Sequence, residues 1–236
     1  MTEPWTALTL RDFAGSIAGR DVRAALMWVP TARDLNRILA VAHAVGNAPR
    51  LVDVGAGSGL LSALLAPHLQ VTALDPGDAG IPSRRVGRFF DLVRAPVESY
   101  SGQAEVALVS WMEAGRDYRA PVAALAPVLV QAYDPSGGCG VLGDVDYARF
   151  GFQVVARWET PSWENVAHAF RTRGRGPGGA PLPRKEGWGN VVEVATRDAR
   201  LMEALQAALR SPPARVAALP WEAELAALHL LPSDEN

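Results

Sequence analysis

The sequence predicts an α/β protein in which helices cover both faces of a mostly parallel sheet, a doubly wound three-layer α/β/α sandwich. Two observations predict it. Short apolar runs alternate with helical stretches over residues 31–135, and a glycine-rich turn joins the first of these runs to a helix. Strands that are separated by helices indicate parallel pairing, because the chain must cross one face of the sheet before the next strand begins.

The first clear helix covers residues 31–45. Thr31 is a suitable N-cap after Pro30, apolar residues recur at helical spacing, and Gly46 ends the run. Further helical stretches, together with one short crossover between strands, are predicted at residues 60–69, 121–125, 198–210 and 221–231.

Seven segments have the composition of strands. Five are short apolar runs of the buried, parallel type, and two later ones alternate apolar and polar residues like half-exposed strands. In chain order they are residues 50–54, 71–74, 92–95, 106–110, 128–132, 153–158 and 190–196. The sheet is therefore expected to have seven strands.

The chain is expected to form a single domain over residues 1–236, since its length is ordinary for one α/β domain and no repeat divides it. Three regions stand apart from the alternating pattern. They are an N-terminal helical cap at 1–30, an insertion between the last two strands at 160–189 and a C-terminal extension at 211–236. Loops as long as the insertion tend to be functional or mobile, so the cap and the insertion are the expected walls of a substrate pocket.

Composition excludes several classes of protein. With 23 basic and 25 acidic residues the formal net charge is -2, which argues against a chain-wide electrostatic grip on nucleic acid or anionic lipid. The single cysteine, Cys139, excludes an internal disulfide and a cysteine-rich zinc site, and no metal is expected. No run of about 18 uncharged apolar residues occurs, which indicates a cytoplasmic protein with no membrane span. The apolar stripe of residues 221–231 predicts packing on the body of the protein or on a second copy, as in a homodimer.

Residues 51–60 form a strand that turns into a helix through Gly55, Gly57 and Gly59. Glycine supplies backbone angles that side chains forbid, and the missing Cβ lets a ligand lie against the backbone at the positive end of the helix. The spacing is Gly-x-Gly-x-Gly rather than the dinucleotide fingerprint Gly-x-Gly-x-x-Gly, and no P-loop lysine follows. The turn therefore favours an uncharged or carboxylate-bearing nucleoside over a phosphate ligand.

Asp75 ends the next strand, 22 residues after Asp53. A carboxylate in this position can accept hydrogen bonds from both ribose hydroxyls of a nucleoside. Together, Asp53, the glycine turn and Asp75 resemble the Asp/Glu-x-Gly-x-Gly-x-Gly signature of class I S-adenosylmethionine-dependent methyltransferases. The resemblance covers about residues 31–135, and it extends to 197 if the two alternating strands are the family's C-terminal antiparallel hairpin.

The resemblance implies S-adenosylmethionine as cofactor and assigns residues to it. Gly55 and Gly57 would line its methionine end, and Asp53 would orient the turn and approach the amino group. Gly59 would pack the helix against the strand, and Asp75 would hold the ribose. The implied cofactor-binding residues are Asp53, Gly55, Ala56, Gly57, Gly59, Asp75, Pro76, Val97, Glu98 and Ser110.

The adenine side of this implied site departs from the family's pattern. Pro76 would flank the adenine ring. The family often has an acid or amide after the third strand to meet the adenine amino group, but Pro96 stands there. The backbone of Val97 or the side chain of Glu98 would then take this role.

The fourth strand ends at Ser110 and is followed by Trp111, Met112 and Glu113. In the family this strand end faces the transferable methyl group. The Asn/Asp-Pro-Pro-Tyr/Phe motif of amino methyltransferases and the Pro-Cys nucleophile of cytosine methyltransferases are both absent. Trp111 could attract a sulfonium through its ring or could be plain core, and Glu113 could be a general base or a solvated loop acid. Trp111 and Glu113 are the candidate catalytic residues.

Three functions stay open on the sequence. Methyl transfer to a small molecule is favoured. RNA methylation comes next, because basic residues of the insertion lie near aromatic ones, at Arg171, Arg173, Arg175, Arg184 and Lys185. A non-catalytic module that binds the same cofactor is the alternative from another class, and the glycine spacing disfavours a nicotinamide-dependent oxidoreductase.

Overall fold

The computed structural model describes residues 5–14, 28–77, 88–113, 115–135, 137, 139–141, 145–171 and 189–232. In chain order its helices and strands are α1 (Leu10–Ala14), α2 (Ala32–Val45), β1 (Arg50–Val54), α3 (Leu60–Leu65), β2 (Gln70–Leu74), β3 (Leu92–Val93), β4 (Val106–Ser110), α4 (Arg119–Leu125), β5 (Val128–Tyr133), β6 (Gln153–Thr160), α5 (Trp163–Arg171), β7 (Asn190–Thr196), α6 (Met202–Arg210) and α7 (Glu222–Ala227).

The seven strands form one sheet in the order β3-β2-β1-β4-β5-β7-β6. Strands β1 to β5 pair in parallel, whereas β7 is antiparallel to both β5 and β6. The predicted fold class is confirmed, including the antiparallel C-terminal pair. Because β6 is antiparallel to β7, it runs in the same direction as β5 and ends at the same edge.

The side chains of the central strands alternate between two cores. In β4, Val106 and Leu108 join the core beneath α2, α3, α6 and α7, whereas Ala107 and Val109 join the core beneath α4. Successive side chains of a strand point to opposite faces, so this alternation defines three layers with the sheet in the middle.

The capping of α2 explains why that helix begins where the sequence predicts. Thr31 is the N-cap, and its side chain accepts a hydrogen bond from the backbone N–H of Asp34 while the Asp34 carboxylate accepts from the Thr31 backbone. This reciprocal pair satisfies two otherwise unpaired donors at the start of the helix.

The insertion and the third strand differ from the sequence expectation, and the helices α3 and α7 are shorter than predicted. The insertion is not only loop, because α5 occupies its first part, with the Ser162 hydroxyl accepting from the Asn165 backbone N–H at 3.1 Å. The strand β6 runs to Thr160, so the inserted segment starts after this residue. The third strand keeps only two residues, Leu92–Val93. Residues 1–4 and 15–27 of the cap, 172–188 of the insertion and 233–236 lie outside the described residues.

The C-terminal extension packs on the body of the same chain. Trp221 and Leu225 are fully buried, and the Trp221 ring meets Phe13 of α1 edge-on at 4.8 Å between ring centroids. The apolar side chains Trp221 and Leu225 therefore pack on the rest of the same chain. Among the described helices, none combines the length and the hydropathy that crossing a bilayer requires.

Candidate functional site

The glycine turn lies between β1 and α3, at the edge where the parallel strands end. Gly55, Gly57 and Gly59 all have positive φ angles, at 72°, 58° and 72°. The backbone N–H groups of Gly55 and Ala56 donate to the Leu74 carbonyl oxygen at 2.9 and 3.0 Å, which fixes the turn to the end of β2. Residues with a side chain rarely adopt such backbone angles, so this turn requires glycine at these three positions.

Most donors of the turn are used inside the protein. Besides Gly55 and Ala56, the N–H of Gly59 donates to the Ala56 carbonyl at 2.8 Å, and that of Gly57 donates to Asp75. A phosphate site needs several backbone N–H groups that are free to point at the anion. The turn instead offers a bare backbone surface, since a Cβ built on Gly55 meets no atom of the described residues within 4 Å.

Asp75 joins the two turns that follow β1 and β2. Its Oδ2 accepts from the Gly57 N–H and its Oδ1 from the Gly77 N–H, both at 2.7 Å. The carboxyl is buried, with 7% of the residue exposed. Each carboxylate oxygen can accept a second hydrogen bond, so both can still receive a hydroxyl from a ligand that lies across the two turns.

Asp53 lies in β1 beneath the same turn and is fully buried. Its Oδ2 accepts from the Ser62 hydroxyl at 2.7 Å. Burial, opposed by this hydrogen bond, raises the pKa of Asp53 to about 6, and the neighbouring charge of Asp75 adds to the rise.

Two buried polar atoms beside the turn have no hydrogen-bond partner among the described residues. They are the second carboxyl oxygen of Asp53, Oδ1, and the hydroxyl of Ser58. An unpaired buried polar atom costs about 1–3 kcal/mol, and such atoms are usually satisfied by a ligand or water. The turn and its surroundings therefore fit a polar ligand with an uncharged or cationic group near Asp53.

Gly59, which the resemblance implies packs the helix against the strand, has little room around it. A Cβ on Gly59 would lie 2.8 Å from the Cβ of Phe90 and 3.3 Å from the side chain of Leu92. The close approach is thus to the segment that leads into β3, which is tied to the turn by a 2.9 Å hydrogen bond from the Phe89 N–H to the Ser58 carbonyl.

The residues implied for the adenine are spread along the ends of β2 and β3. Pro76 and Glu98 are exposed, whereas Val97 is buried in the core beneath α4. The guanidinium of Arg94 lies over Gly77, because a Cβ there would be 2.2 Å from its Nη1. No sequence signal marks Arg94, because acids and amides are the residues expected to meet the adenine after the third strand.

The end of β4 carries three of the predicted residues. Ser110 is its last residue, and the Ser110 hydroxyl accepts a hydrogen bond from the indole Nε1 of Trp28 at 2.7 Å. Trp111 follows with φ 77°, an angle that a bulky residue rarely adopts, while its N–H donates to the Ala132 carbonyl at 3.0 Å. Strained residues of this kind cluster at functional sites.

Glu113 is ion-paired to Arg116 at 3.1 Å, with 40% of its side chain exposed. Its backbone N–H donates to the hydroxyl of Tyr118 at 3.0 Å. The structure thus places Glu113 beyond the strand end, in a solvated ion pair. Its role as general base stays a prediction.

The end of β5 and the start of α5 bring two further acids near each other. Burial raises the pKa of Glu164, and the charge of Asp134, just after β5, raises it further. The sequence does not predict Glu164 as a site residue, because it lies on a helix in the part of the chain that is expected to be loop. The basic residues predicted for RNA contact, including the Arg171 side chain, lie outside the described residues. Among the described residues, no group of three or more His, Cys, Asp or Glu side chains has the arrangement of a metal site.

The strand order, the antiparallel last pair and the glycine turn followed by Asp75 define the Rossmann-like fold of class I S-adenosylmethionine-dependent methyltransferases, and the chain has this fold. No protein-family model and no curated protein matches the sequence.

Solved structures with a similar fold do exist. Magnesium protoporphyrin IX methyltransferase from Synechocystis with bound S-adenosylmethionine is 14% identical, over 71% of this chain and 79% of that chain, with a TM-score of 0.44. Burkholderia thailandensis 1,6-didemethyltoxoflavin-N1-methyltransferase with bound S-adenosylhomocysteine is 18% identical, over 70% and 77%, at 0.41. A Thiobacillus denitrificans S-adenosylmethionine-dependent methyltransferase with S-adenosylhomocysteine is 13% identical, over 78% and 96%, at 0.43. Matches at these identities and scores do not specify an acceptor.

Proposed function

We propose that the protein is an S-adenosylmethionine-dependent methyltransferase whose acceptor is a small molecule. The observation that carries the proposal is the hydrogen bond from the Gly57 N–H to Asp75 Oδ2 at 2.7 Å. It brings the bare glycine turn and the candidate ribose-binding carboxylate within reach of one adenosyl ligand. The internal use of the turn's N–H groups disfavours the main alternative, a phosphate-bearing nucleotide.

The cofactor would lie across the ends of β1 and β2. Its amino-acid end would rest on Gly55, Ala56 and Gly57. Its ammonium group would point toward Asp53, whose Oδ1 has no partner in the part of the chain that the structure describes. Asp75 would accept hydrogen bonds from the ribose hydroxyls. Gly59 would allow the segment around Phe90 to lie close to the turn. Pro76, Val97 and Glu98 stand at the strand ends where the adenine would lie.

The bound sulfonium would supply an electrophilic methyl group, and the protein's task is to align the acceptor with it and to exclude water. Trp111 follows β4 directly, where its ring can attract a cation. Glu113 would take the proton of an O–H or N–H acceptor, which requires that its carboxylate leave Arg116.

The cap and the insertion are proposed as walls of the acceptor pocket. The inserted segment starts after Thr160 and returns at Asn190, two residues that are paired at the edge where β1, β4 and β5 end. The formal net charge of -2 favours a small molecule over RNA as acceptor.

A non-catalytic module that binds S-adenosylmethionine is the second candidate. The ion pair between Glu113 and Arg116 favours it, because the one acid proposed as base is held by a cation. In that case the chain binds the cofactor with the same residues and transfers no methyl group.

Calorimetric titration with S-adenosylmethionine and S-adenosylhomocysteine tests the shared part. We expect both to bind, and Asp75→Ala to weaken both by about tenfold or more, since hydrogen bonds to a charged group are lost. Asp198→Ala is the matched control, because Asp198 also accepts a backbone N–H two residues on, at 3.0 Å, and lies away from the turn. Failure of the wild type to bind either ligand contradicts both candidates.

Transfer of a labelled methyl group from the cofactor to a fraction of cell extract separates the two candidates. Label in a low-molecular-mass fraction that survives nuclease and protease supports the proposed enzyme. Label that nuclease removes indicates RNA, and no label with intact cofactor binding indicates the non-catalytic module.

A further inference from the structure

Trp28 reaches the candidate site from a part of the chain that lies outside the sheet. It is fully buried, and its indole Nε1 donates to the hydroxyl oxygen of Ser110 at 2.7 Å. The two residues are 82 positions apart in sequence. A buried indole N–H needs a hydrogen-bond partner. Here that partner is Ser110, the last residue of β4.

The bond determines what the Ser110 hydroxyl can still do. An indole N–H is a donor only, so the Ser110 oxygen must act as acceptor toward Trp28. A serine hydroxyl also carries one proton to donate. No hydrogen bond donated by Ser110 is found within the described part of the chain, and only 6% of the residue is exposed. The pair therefore leaves a buried donor that has no acceptor among the described residues.

The sheet register places this donor beside the glycine turn. Strands β1 and β4 pair in parallel, and Val54 opposite Val109 is the last pair, so Gly55 and Ser110 are the residues that follow it on the two neighbouring strands. Adjacent strands are about 4.8 Å apart. A ligand group on the open backbone surface at Gly55 would then lie one strand away from Ser110.

Trp28 is held firmly enough to orient its partner. Trp28 forms a bridge with Ser162, and the N–H of Val29 donates to the Pro161 carbonyl at 3.1 Å. On the other side, the indole of Trp221 donates to the Pro30 carbonyl at 2.7 Å. These contacts fix the segment between the start of α5 and the C-terminal extension.

We propose that Trp28 is a positioning residue, which fixes Ser110 so that its hydroxyl donates to the carboxylate of the cofactor's amino-acid end. The inference rests on the proposed function, because it takes the ligand on Gly55 to be the methionine end of S-adenosylmethionine. It adds a residue from the N-terminal segment, and a specific ligand group, to the site.

Two ligands separate this role from a merely structural one. S-adenosylhomocysteine carries the amino-acid carboxylate, whereas methylthioadenosine has the same adenosyl thioether without it. Calorimetry should show that Trp28→Phe and Ser110→Ala each weaken S-adenosylhomocysteine by about tenfold, with methylthioadenosine affinity unchanged. The double variant should bind no more weakly than either single one, because both changes remove the same interaction.

Trp221→Phe is the matched control. It removes the buried indole N–H that donates to the Pro30 carbonyl, two residues from Trp28, and this bond does not involve Ser110. The ratio of the affinities for the two ligands should therefore stay that of the wild type. Unchanged S-adenosylhomocysteine binding in Trp28→Phe and Ser110→Ala, or an equal loss for both ligands, overturns the role of Trp28. If Trp28→Phe does not fold, Ser110→Ala alone decides by the same ratio. A wild type that binds neither ligand overturns the proposed function itself.

Discussion

Replacing Asp53 by asparagine tests the buried carboxyl beneath the glycine turn. Burial raises the pKa of Asp53 from 3.8 to about 6, which at about 1.4 kcal/mol per pKa unit amounts to about 3 kcal/mol. The folded chain binds this proton more tightly than the unfolded chain. The wild type should therefore lose about 3 kcal/mol of its free energy of unfolding as the pH rises from about 4 to about 6, with no further loss above.

Asparagine has no charge to bury and keeps an oxygen that can accept the hydrogen bond from Ser62. The stability of Asp53→Asn relative to wild type should rise from near zero at about pH 4 to about 3 kcal/mol at about pH 7. Urea unfolding of both chains measures this difference, in which the other titrating groups cancel. In the control Asp198→Asn the difference should have the opposite sign, because Arg200 lowers the pKa of Asp198. A difference for Asp53→Asn that does not change with pH would refute the reasoning.

Three further substitutions test the local geometry by urea unfolding. Gly59→Ala should destabilise the chain by about 2 kcal/mol, since φ is 72° and the new Cβ has no room. The control Gly46→Ala, at φ -177° and with no described atom near its Cβ, should be nearly neutral, and equal effects of the two substitutions would contradict the prediction. Trp111→Gly should be more stable than Trp111→Ala by about 1 kcal/mol, because glycine tolerates φ 77° and alanine does not. If Trp111→Ala is the more stable variant, the backbone at residue 111 is not strained. Asp34→Ala should cost about 3 kcal/mol or more, since four buried donors, two of them on Thr31, lose their acceptor. A loss below about 1 kcal/mol would contradict that reasoning.

The central sheet could be predicted from sequence because buried parallel strands are continuous apolar runs. Strands β4 and β7 have the predicted bounds, Val106–Ser110 and Asn190–Thr196, and α2 begins after its predicted N-cap, Thr31. Where the apolar run is weak, the predicted and observed bounds differ. The strand β3 was expected at residues 92–95 and covers only Leu92–Val93. The helix α5 is not predicted, because it is short and a glycine-rich stretch follows it directly.

The site could be predicted only where its residues are close in sequence. The glycine turn and Asp75 follow consecutive strands, so a local pattern carries them. The contacts of Trp28 with Ser110 and of Trp158 with Asp34, whose indole Nε1 and Oδ1 are 2.7 Å apart, join residues 82 and 124 positions apart. No periodicity or motif signals such pairs, because they depend on how the N-terminal segment and β6 pack in three dimensions.

A crystal structure of the chain grown with S-adenosylhomocysteine tests the central claim most directly. We predict density for the amino-acid end over Gly55 and Gly57, with the ribose hydroxyls on the two carboxyl oxygens of Asp75. Density at another edge of the sheet, or a ribose that makes no contact with Asp75, would contradict the account.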